Sequence, residues 1–247
     1  ENLTLPSSLT SIGNYAFYYC REFTSVSFPN SLTSIGNGAF KNCYYIESLS
    51  IPNSVTNLGE AAFNGCADLS SISLPNTLTS IKNETFSSCR NLTGLEIPNT
   101  VQSIGDNAFS GCYSLNNVVI GSNAKSIGNG AFSECSISIS YNGEDEILTS
   151  NLFFITFEGK VPPAMGSRVF YGTTAKIIVD SMDTALNYYE NGTNWGTYFK
   201  HFFIESGEEK GDYVDVCNLL EVKVDGRMEL YEFDVFFYKI EGNKVTL

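Results

Sequence analysis

Apolar residues in the first half of this chain recur on a fixed beat of 23 residues. Phe17, Phe40, Phe63, Phe86, Phe109 and Phe132 share one position of the beat, and Cys20, Cys43, Cys66, Cys89, Cys112 and Cys135 follow three residues later. Upstream lie Ile12, Ile35, Leu58, Ile81, Ile104 and Ile127, and before them Leu9, Leu32, Val55, Leu78, Val101 and Ala124. Prolines keep the same step at Pro6, Pro29, Pro52, Pro75 and Pro98, with Gly121 in the sixth place. Each unit reads L-x-I-P-N-x-L-x-x-I-G-x-x-A-F-x-x-C-x-x-L-x-x, and six units run without an insertion. A unit this short cannot bury its own apolar side chains, so each must stack on its neighbours as one coil of a solenoid.

Two stretches of every coil alternate apolar and polar residues as strands do. In the third coil these are Ser48-Leu49-Ser50-Ile51-Pro52 and Val55-Thr56-Asn57-Leu58-Gly59. Between that glycine and the cysteine, Ala61 to Cys66 is too short for an α-helix and predicts one irregular or 3₁₀ turn. The phenylalanines are expected to stack as a core column, one ring per coil. In-register cysteines point in parallel, with Cβ atoms near the ~5 Å strand spacing, longer than the ~3.8 Å a disulfide prefers. Buried free thiols are therefore expected.

The block Ile104-Gly105-Asp106-Asn107-Ala108-Phe109-Ser110-Gly111-Cys112-Tyr113-Ser114-Leu115 resembles the signature of the BspA-like leucine-rich repeats of surface proteins. The resemblance covers residues 3–136. It implies a right-handed, mostly β leucine-rich-repeat solenoid with short 3₁₀ or helical turns. It also implies a cell-surface or secreted module of bacterial origin that binds or adheres to proteins, host extracellular-matrix or other cell-surface proteins among them. The fourth coil departs from the pattern, with Lys82 for the glycine and Thr85 for the alanine. A lysine tolerated there points to an ordinary backbone at that position, with glycine chosen for room.

Three regions are expected: regular repeats over 1–136, irregular terminal coils with a helix-containing cap over 137–205, and a small β-rich tail, or the start of a further domain, over 206–247. After Cys135 the pattern Ser136-Ile137-Ser138-Ile139-Ser140 brings the next strand about four residues early. Glu144-Asp145-Glu146 then interrupts the array, and Leu152–Phe157 and Ala175–Val179 read as strands. Ser181 to Tyr189 reads as a short amphipathic helix with Met182, Ala185, Leu186 and Tyr189 on one side, capped by Ser181 or Asp180. The resemblance makes this segment a closing coil and helix. Physically a seal is needed, because an open last coil exposes strand edges and apolar side chains. In the tail, Leu219–Val224, Met228–Phe233 and Val235–Ile240 predict a meander with turns at Asp225-Gly226 and Glu241-Gly242-Asn243. Because Glu1 falls inside a coil, further sequence upstream is expected.

Composition narrows the function. The net charge is −13, and residues 144–247 carry 18 of the 27 acids, which argues against a phosphate-rich partner such as nucleic acid. No run of 18 apolar residues occurs, so no membrane-spanning helix is expected. With a single histidine, His201 in an aromatic stretch, most hydrolase triads and histidine metal sites are excluded. Paired acids at Asp180/Asp183 and Glu208/Glu209 have nothing to set them across a cleft. Asp212, Asp215, Glu221 and Asp225 lack the spacing of a calcium loop. No catalytic residue, metal site or cofactor is assigned. Cys217, outside the ladder, is the one thiol that could be exposed.

Tyrosines are the candidate binding residues. Tyr18 and Tyr19, then Tyr44 and Tyr45, flank the ladder cysteine on successive coils, and Tyr113 recurs later. The competing reading is ordinary packing over the turn. Tyrosine supplies rigid amphipathic contact area suited to protein recognition. The outward strand positions are by contrast small, Ser25, Ser48, Ser71, Gly94 and Asn117 in one column and Ser27, Ser50, Ser73, Glu96 and Val119 in another. They predict a flat face. Two alternatives remain: a carbohydrate-binding module in which tyrosines or Trp195 stack on sugar rings, and a structural spacer displaying a neighbouring domain.

Overall fold

The computed structural model describes residues 1–142, 145–150, 152–179, 184, 187–188, 191–195, 202–205, 213–215, 239–241 and 244–246. The chain winds into a parallel β-solenoid of seven turns. Each turn contributes one strand to each of two columns, and the first column continues past the seventh turn with an eighth strand. The first column runs Asn2–Thr4, Ser25–Ser27, Ser48–Ser50, Ser71–Ser73, Gly94–Ile97, Asn117–Ile120, Leu152–Phe157 and Thr174–Val179. The second runs Ser11–Ile12, Ser34–Ile35, Asn57–Leu58, Ser80–Ile81, Ser103–Ile104, Ser126–Ile127 and Ala164–Met165. Neighbouring strands pair in register at the 23-residue step, Ser103 opposite Ser80 and Ile104 opposite Ile81. The strands are shorter than the alternation suggested, because each strand gives way within a few residues to a proline-led or glycine-led bend.

The third side of each coil is the turn between glycine and cysteine. It is neither helix nor strand. Two residues in every turn take the left-handed backbone: Tyr15, Gly38, Ala61, Glu84, Asn107 and Gly130 in one column, and Tyr19, Asn42, Gly65, Ser88, Gly111 and Glu134 four residues on. The reversal directs alternate amide groups in opposite senses. Tyr15, Phe17 and Tyr19 donate to the carbonyls of Asn37, Ala39 and Lys41 on the next coil, whereas Ala16, Tyr18 and Cys20 donate back within the turn. A third hydrogen-bonded ladder thus runs the length of the solenoid, which satisfies backbone groups that a loose loop would leave to solvent.

Inside, Phe40, Phe63, Phe86, Phe109 and Phe132 are fully buried and stack at centroid spacings of 5.2–5.6 Å, with interplanar angles of 3–10°. From Cys43 onward each ladder cysteine donates its thiol to the phenylalanine carbonyl of the preceding coil, Cys112 to Phe86 at 3.2 Å and Cys135 to Phe109 at 3.3 Å. The six ladder cysteines are free thiols, and all but Cys20 are buried. Burial pushes the Cys112 thiol up to about 12. Low polarity disfavours the thiolate, so these sulfurs act as small apolar fillers.

At the glycine of the I-G pair the backbone is ordinary, as the tolerated lysine implied. A Cβ on Gly36 would sit 2.6 Å from the Asn14 nitrogen, and one on Gly105 2.6 Å from that of Asn83. Glycine is there for room. Just beyond it, a side-chain amide or carboxylate accepts the backbone N–H of the next coil: Asn14 from Asn37, Asn37 from Glu60, Asn83 from Asp106, Asp106 from Asn129. The fourth coil breaks both rules at its junction with the third. Lys82 replaces the glycine, and Glu60 stands where the other coils place Asn or Asp. The second strand column is interrupted there, between Asn57–Leu58 and Ser80–Ile81, and the first column is interrupted one junction later, between Ser71–Ser73 of coil four and Gly94–Ile97 of coil five. Thr85, in the alanine position, stays fully buried because its hydroxyl donates to the Lys82 carbonyl at 2.8 Å. The turn ladder is continuous through the junction, with Ala61, Phe63 and Gly65 donating to Asn83, Thr85 and Ser87.

After the sixth coil the step lengthens from 23 to 38 residues, with Gly166 and Phe170 occupying the places of Gly128 and Phe132. The surplus is a β-hairpin, Ile137–Asn142 antiparallel to Asp145–Ser150. Ser136 to Ser140 is therefore not an early solenoid strand. Its partner is the strand that follows it, and the next strand of the stack is Leu152–Phe157, paired with Asn117–Ile120. Beyond coil seven, Thr184, Asn187, Tyr188 and Asn191 are helical. Tyr188 and Trp195 are fully buried against Phe157. The Tyr188 hydroxyl donates to the Gly159 carbonyl, and the Trp195 indole to that of Pro163 at 2.6 Å. These contacts close the end of the apolar core. Phe202–Glu205 adds a parallel strand beside Thr174–Val179, and Tyr213–Asp215 runs antiparallel to it. Lys239–Glu241 and Lys244–Thr246 pair across the turn expected at 241–243. The meander expected over 219–233, the cap positions 180–183, the helix-face residues Ala185, Leu186 and Tyr189, and Cys217 and His201 lie outside the described residues.

Candidate functional site

Coils one and two carry an exposed aromatic cluster. Tyr15, Tyr18, Tyr19 and Tyr45 expose 47–59% of their surface; Tyr171, at the Tyr18 position of coil seven, is also exposed but lies five coils beyond Tyr45. The left-handed columns set this up: Tyr15 and Tyr19 each occupy a left-handed position, φ 54° and 62°, which turns the side chain away from the core. Tyr15 meets Tyr18 edge-on at 6.0 Å, Tyr18 lies 5.8 Å from Tyr19, and Tyr19 meets Tyr44 edge-on at 5.8 Å across the coil boundary. The Arg21 guanidinium lies 4.1 Å from the Tyr19 ring centre and 4.8 Å from that of Tyr44, and donates to the Tyr19 hydroxyl. Such a cation held between two rings fixes the rotamers of both, so the cluster is ordered before any partner arrives.

Of the residues singled out in the sequence, Tyr18, Tyr19 and Tyr44 therefore share one surface, and Tyr45 is exposed on the same coil as Tyr44. Tyr113 lies three coils along. It is half-buried and pairs with Arg90, whose guanidinium sits 5.6 Å from the ring. Sequence reasoning missed Tyr15 and Arg21. A signal existed: Gly38 stands directly beneath the Tyr15 ring, where a Cβ would strike the ring carbons, so one coil makes room for the aromatic residue of another. Trp195, the best candidate for stacking on a sugar, is fully buried in the cap.

The outward strand face is not flat. A groove of about 860 Å³ crosses it at coils four to seven, with Ser73, Glu96, Asn99, Asn117, Val119 and Glu158 among its lining residues. It follows the interruption between Ser71–Ser73 and Gly94–Ile97 in the first strand column. Among the described residues no group of three or more His, Cys, Asp or Glu side chains converges as for a metal ion, and no helix is long and apolar enough to cross a membrane.

A family model for the BspA-type leucine-rich repeat region matches in six copies over residues 1–96 and 79–184. The chain belongs to the BspA-type leucine-rich repeat family. Among solved structures, a leucine-rich cell surface protein from Faecalibacterium prausnitzii is 27% identical, with a TM-score of 0.59 over 73% of this chain. The chain spans only 48% of that protein's length. A leucine-rich repeat protein from T. pallidum is also 27% identical, with a TM-score of 0.56, covering 67% of this chain and 72% of that one. One from Bacteroides ovatus, 23% identical over 73% of this chain and 55% of its own with a TM-score of 0.51, shares the fold. No curated protein sequence matches the chain.

Proposed function

We propose that this BspA-type repeat chain is a non-catalytic interaction module, displayed on a bacterial cell surface or secreted, that adheres to protein partners through its solenoid surface. The observation that carries the reading is the pre-ordered cluster of Tyr15, Tyr18, Tyr19 and Tyr44 around Arg21, with Tyr45 beside it. Large aromatic side chains are rarely left exposed together without a partner to cover them. Tyrosine and arginine are also the residue types enriched where binding energy concentrates. A cell-surface relative of the same repeat class supports the location. The partner class proposed is an extracellular-matrix or cell-surface protein.

The test is solid-phase binding of the chain to immobilised matrix glycoproteins and to the same proteins after enzymatic deglycosylation. A folded variant carrying alanine at Tyr18, Tyr19, Tyr44 and Tyr45 is compared with the wild type. Saturable binding that survives deglycosylation and falls at least about tenfold in the variant is the expected result. Binding lost on deglycosylation would transfer the site to sugar recognition. Absence of binding to either form would favour a spacer.

A further inference from the structure

A second surface differs from the tyrosine cluster in chemistry and place. Two columns of the repeat change character where the groove lies. Glu96 occupies the outward position held by Ser27, Ser50 and Ser73 in earlier coils. Glu158 follows Ile120 in the backbone ladder, so it stacks on the column of Pro75, Pro98 and Gly121. Both carboxylates are exposed, line the groove, and make no ion pair or side-chain hydrogen bond among the described residues. Among the described residues no lysine, arginine or aromatic side chain lines it. Asn99 and Asn117 add amide donors and acceptors, and Val119 a small apolar patch.

We propose that this groove docks an extended, lysine- or arginine-bearing segment of a partner protein. Charge complementarity chooses the occupant. Two unpaired carboxylates in a concave strip attract a cation and repel acidic chains, and low-dielectric protein walls concentrate that field. Amide side chains match the donors and acceptors of an extended peptide backbone. A sugar ring would find no aromatic platform. The regular coils cannot offer this site, because their serine and proline columns hold neither charge nor relief.

The experiment is fluorescence anisotropy of the full chain with a labelled (Lys-Ser)₅ peptide and its (Glu-Ser)₅ counterpart in about 0.1 M salt, where distant charges are screened beyond about 10 Å. The double variant E96Q/E158Q is compared with E47Q/E134Q, which removes the same charge from exposed positions elsewhere on the solenoid. Thermal melts confirm that both fold. The expected result is binding of the basic peptide only, weakened about tenfold or more by E96Q/E158Q and less than about threefold by the control. Equal weakening by both variants would reduce the effect to net charge and overturn the proposal, as would no binding or no change. Retention of a neutral oligosaccharide that E96Q/E158Q abolishes would overturn it in favour of a sugar site. The tyrosine-to-alanine variant is expected to keep peptide binding, so either surface can fail without the other.

Discussion

A left-handed backbone costs an ordinary L-residue about 1–2 kcal/mol relative to the right-handed region, a cost glycine escapes. In this chain two positions of every coil require it, yet glycine fills only some of them, while Tyr15, Ala61, Glu84 and Asn107 adopt it too. The inter-coil ladder explains why they do: each such residue donates its N–H to the next coil, Ala61 to Asn83 at 2.9 Å and Glu84 to Asp106 at 2.9 Å. Ala61 has the most to gain from substitution, since its methyl group is half-exposed and offers little packing in return. Ala61→Gly is expected to raise stability by about 0.5–1 kcal/mol, after glycine's greater freedom in the unfolded chain is subtracted. Urea unfolding would show this as a higher midpoint at unchanged slope; a lower midpoint would mean that the methyl contact matters more than the backbone. These left-handed columns were invisible in the sequence for a physical reason. Tyr, Gly, Ala, Glu and Asn share no side-chain property, and only the backbone they adopt is common to them. The phenylalanine and cysteine columns were legible because burial in a stack accepts a single shape at each position.

At the scale of the coil, the fourth is where sequence and ladder depart together. A Cβ at the position of Lys82 has no room against the coil beneath it, judged by Gly36 and Gly105, and the chain separates there in the second strand column. The Lys82 ammonium reaches back to the Asn57 side chain at 2.8 Å, a partial substitute for the lost pairing. Glu60 is one methylene too long to accept the Asn83 N–H as Asn14 and Asn37 accept theirs. Restoring both rules with Glu60→Asn and Lys82→Gly is expected to add about 1–2 kcal/mol, the worth of one or two backbone hydrogen bonds. Slower amide exchange at Thr79, position 82 and Asn83 would accompany it. If exchange there is unchanged while the melting temperature rises, the gain comes from elsewhere and the steric account fails. The departure at Lys82 was legible; its effect on pairing was not, because glycine for room and glycine for freedom look alike in a sequence. The hairpin was misread for a related reason. Alternation in Ser136–Ser140 reports a strand and not its partner, and the 15 residues added to the step place that partner next in sequence. For the tyrosine cluster, the cysteine-flanking pairs could be read from the repeat. Arg21 could not, since its role comes from a ring contact across coils, and Tyr15 left only the glycine beneath its ring as a sign.

Over the whole molecule, a solenoid has no centre: each coil meets only its neighbours, and stability is a sum of coil and junction contributions. The same property spreads a single titration along the chain. Five ladder thiols, Cys43, Cys66, Cys89, Cys112 and Cys135, are buried, and burial raises each of them. For Cys43 and Cys112 the folded value is about 12 against an ordinary 9.0. A raised folded value means that the native state holds its proton where the unfolded chain releases it. Stability is then whole below about pH 9 and is lost as the pH climbs toward 12, by up to about 1.4 kcal/mol per pH unit for each thiol that ionises on unfolding. Alkali acts on more than the thiols, so the wild type is its own poor control. Cys89→Ala with Cys112→Ala removes two of the five buried thiols at small cost in volume. The variant is expected to be less stable at pH 7, through lost packing, and to lose less stability than the wild type between pH 8 and pH 11. Guanidinium unfolding at intervals across that range gives the two curves. Converging curves would locate the alkaline sensitivity in the thiol ladder, whereas parallel ones would assign it to groups on the surface and leave the sulfurs as fillers alone.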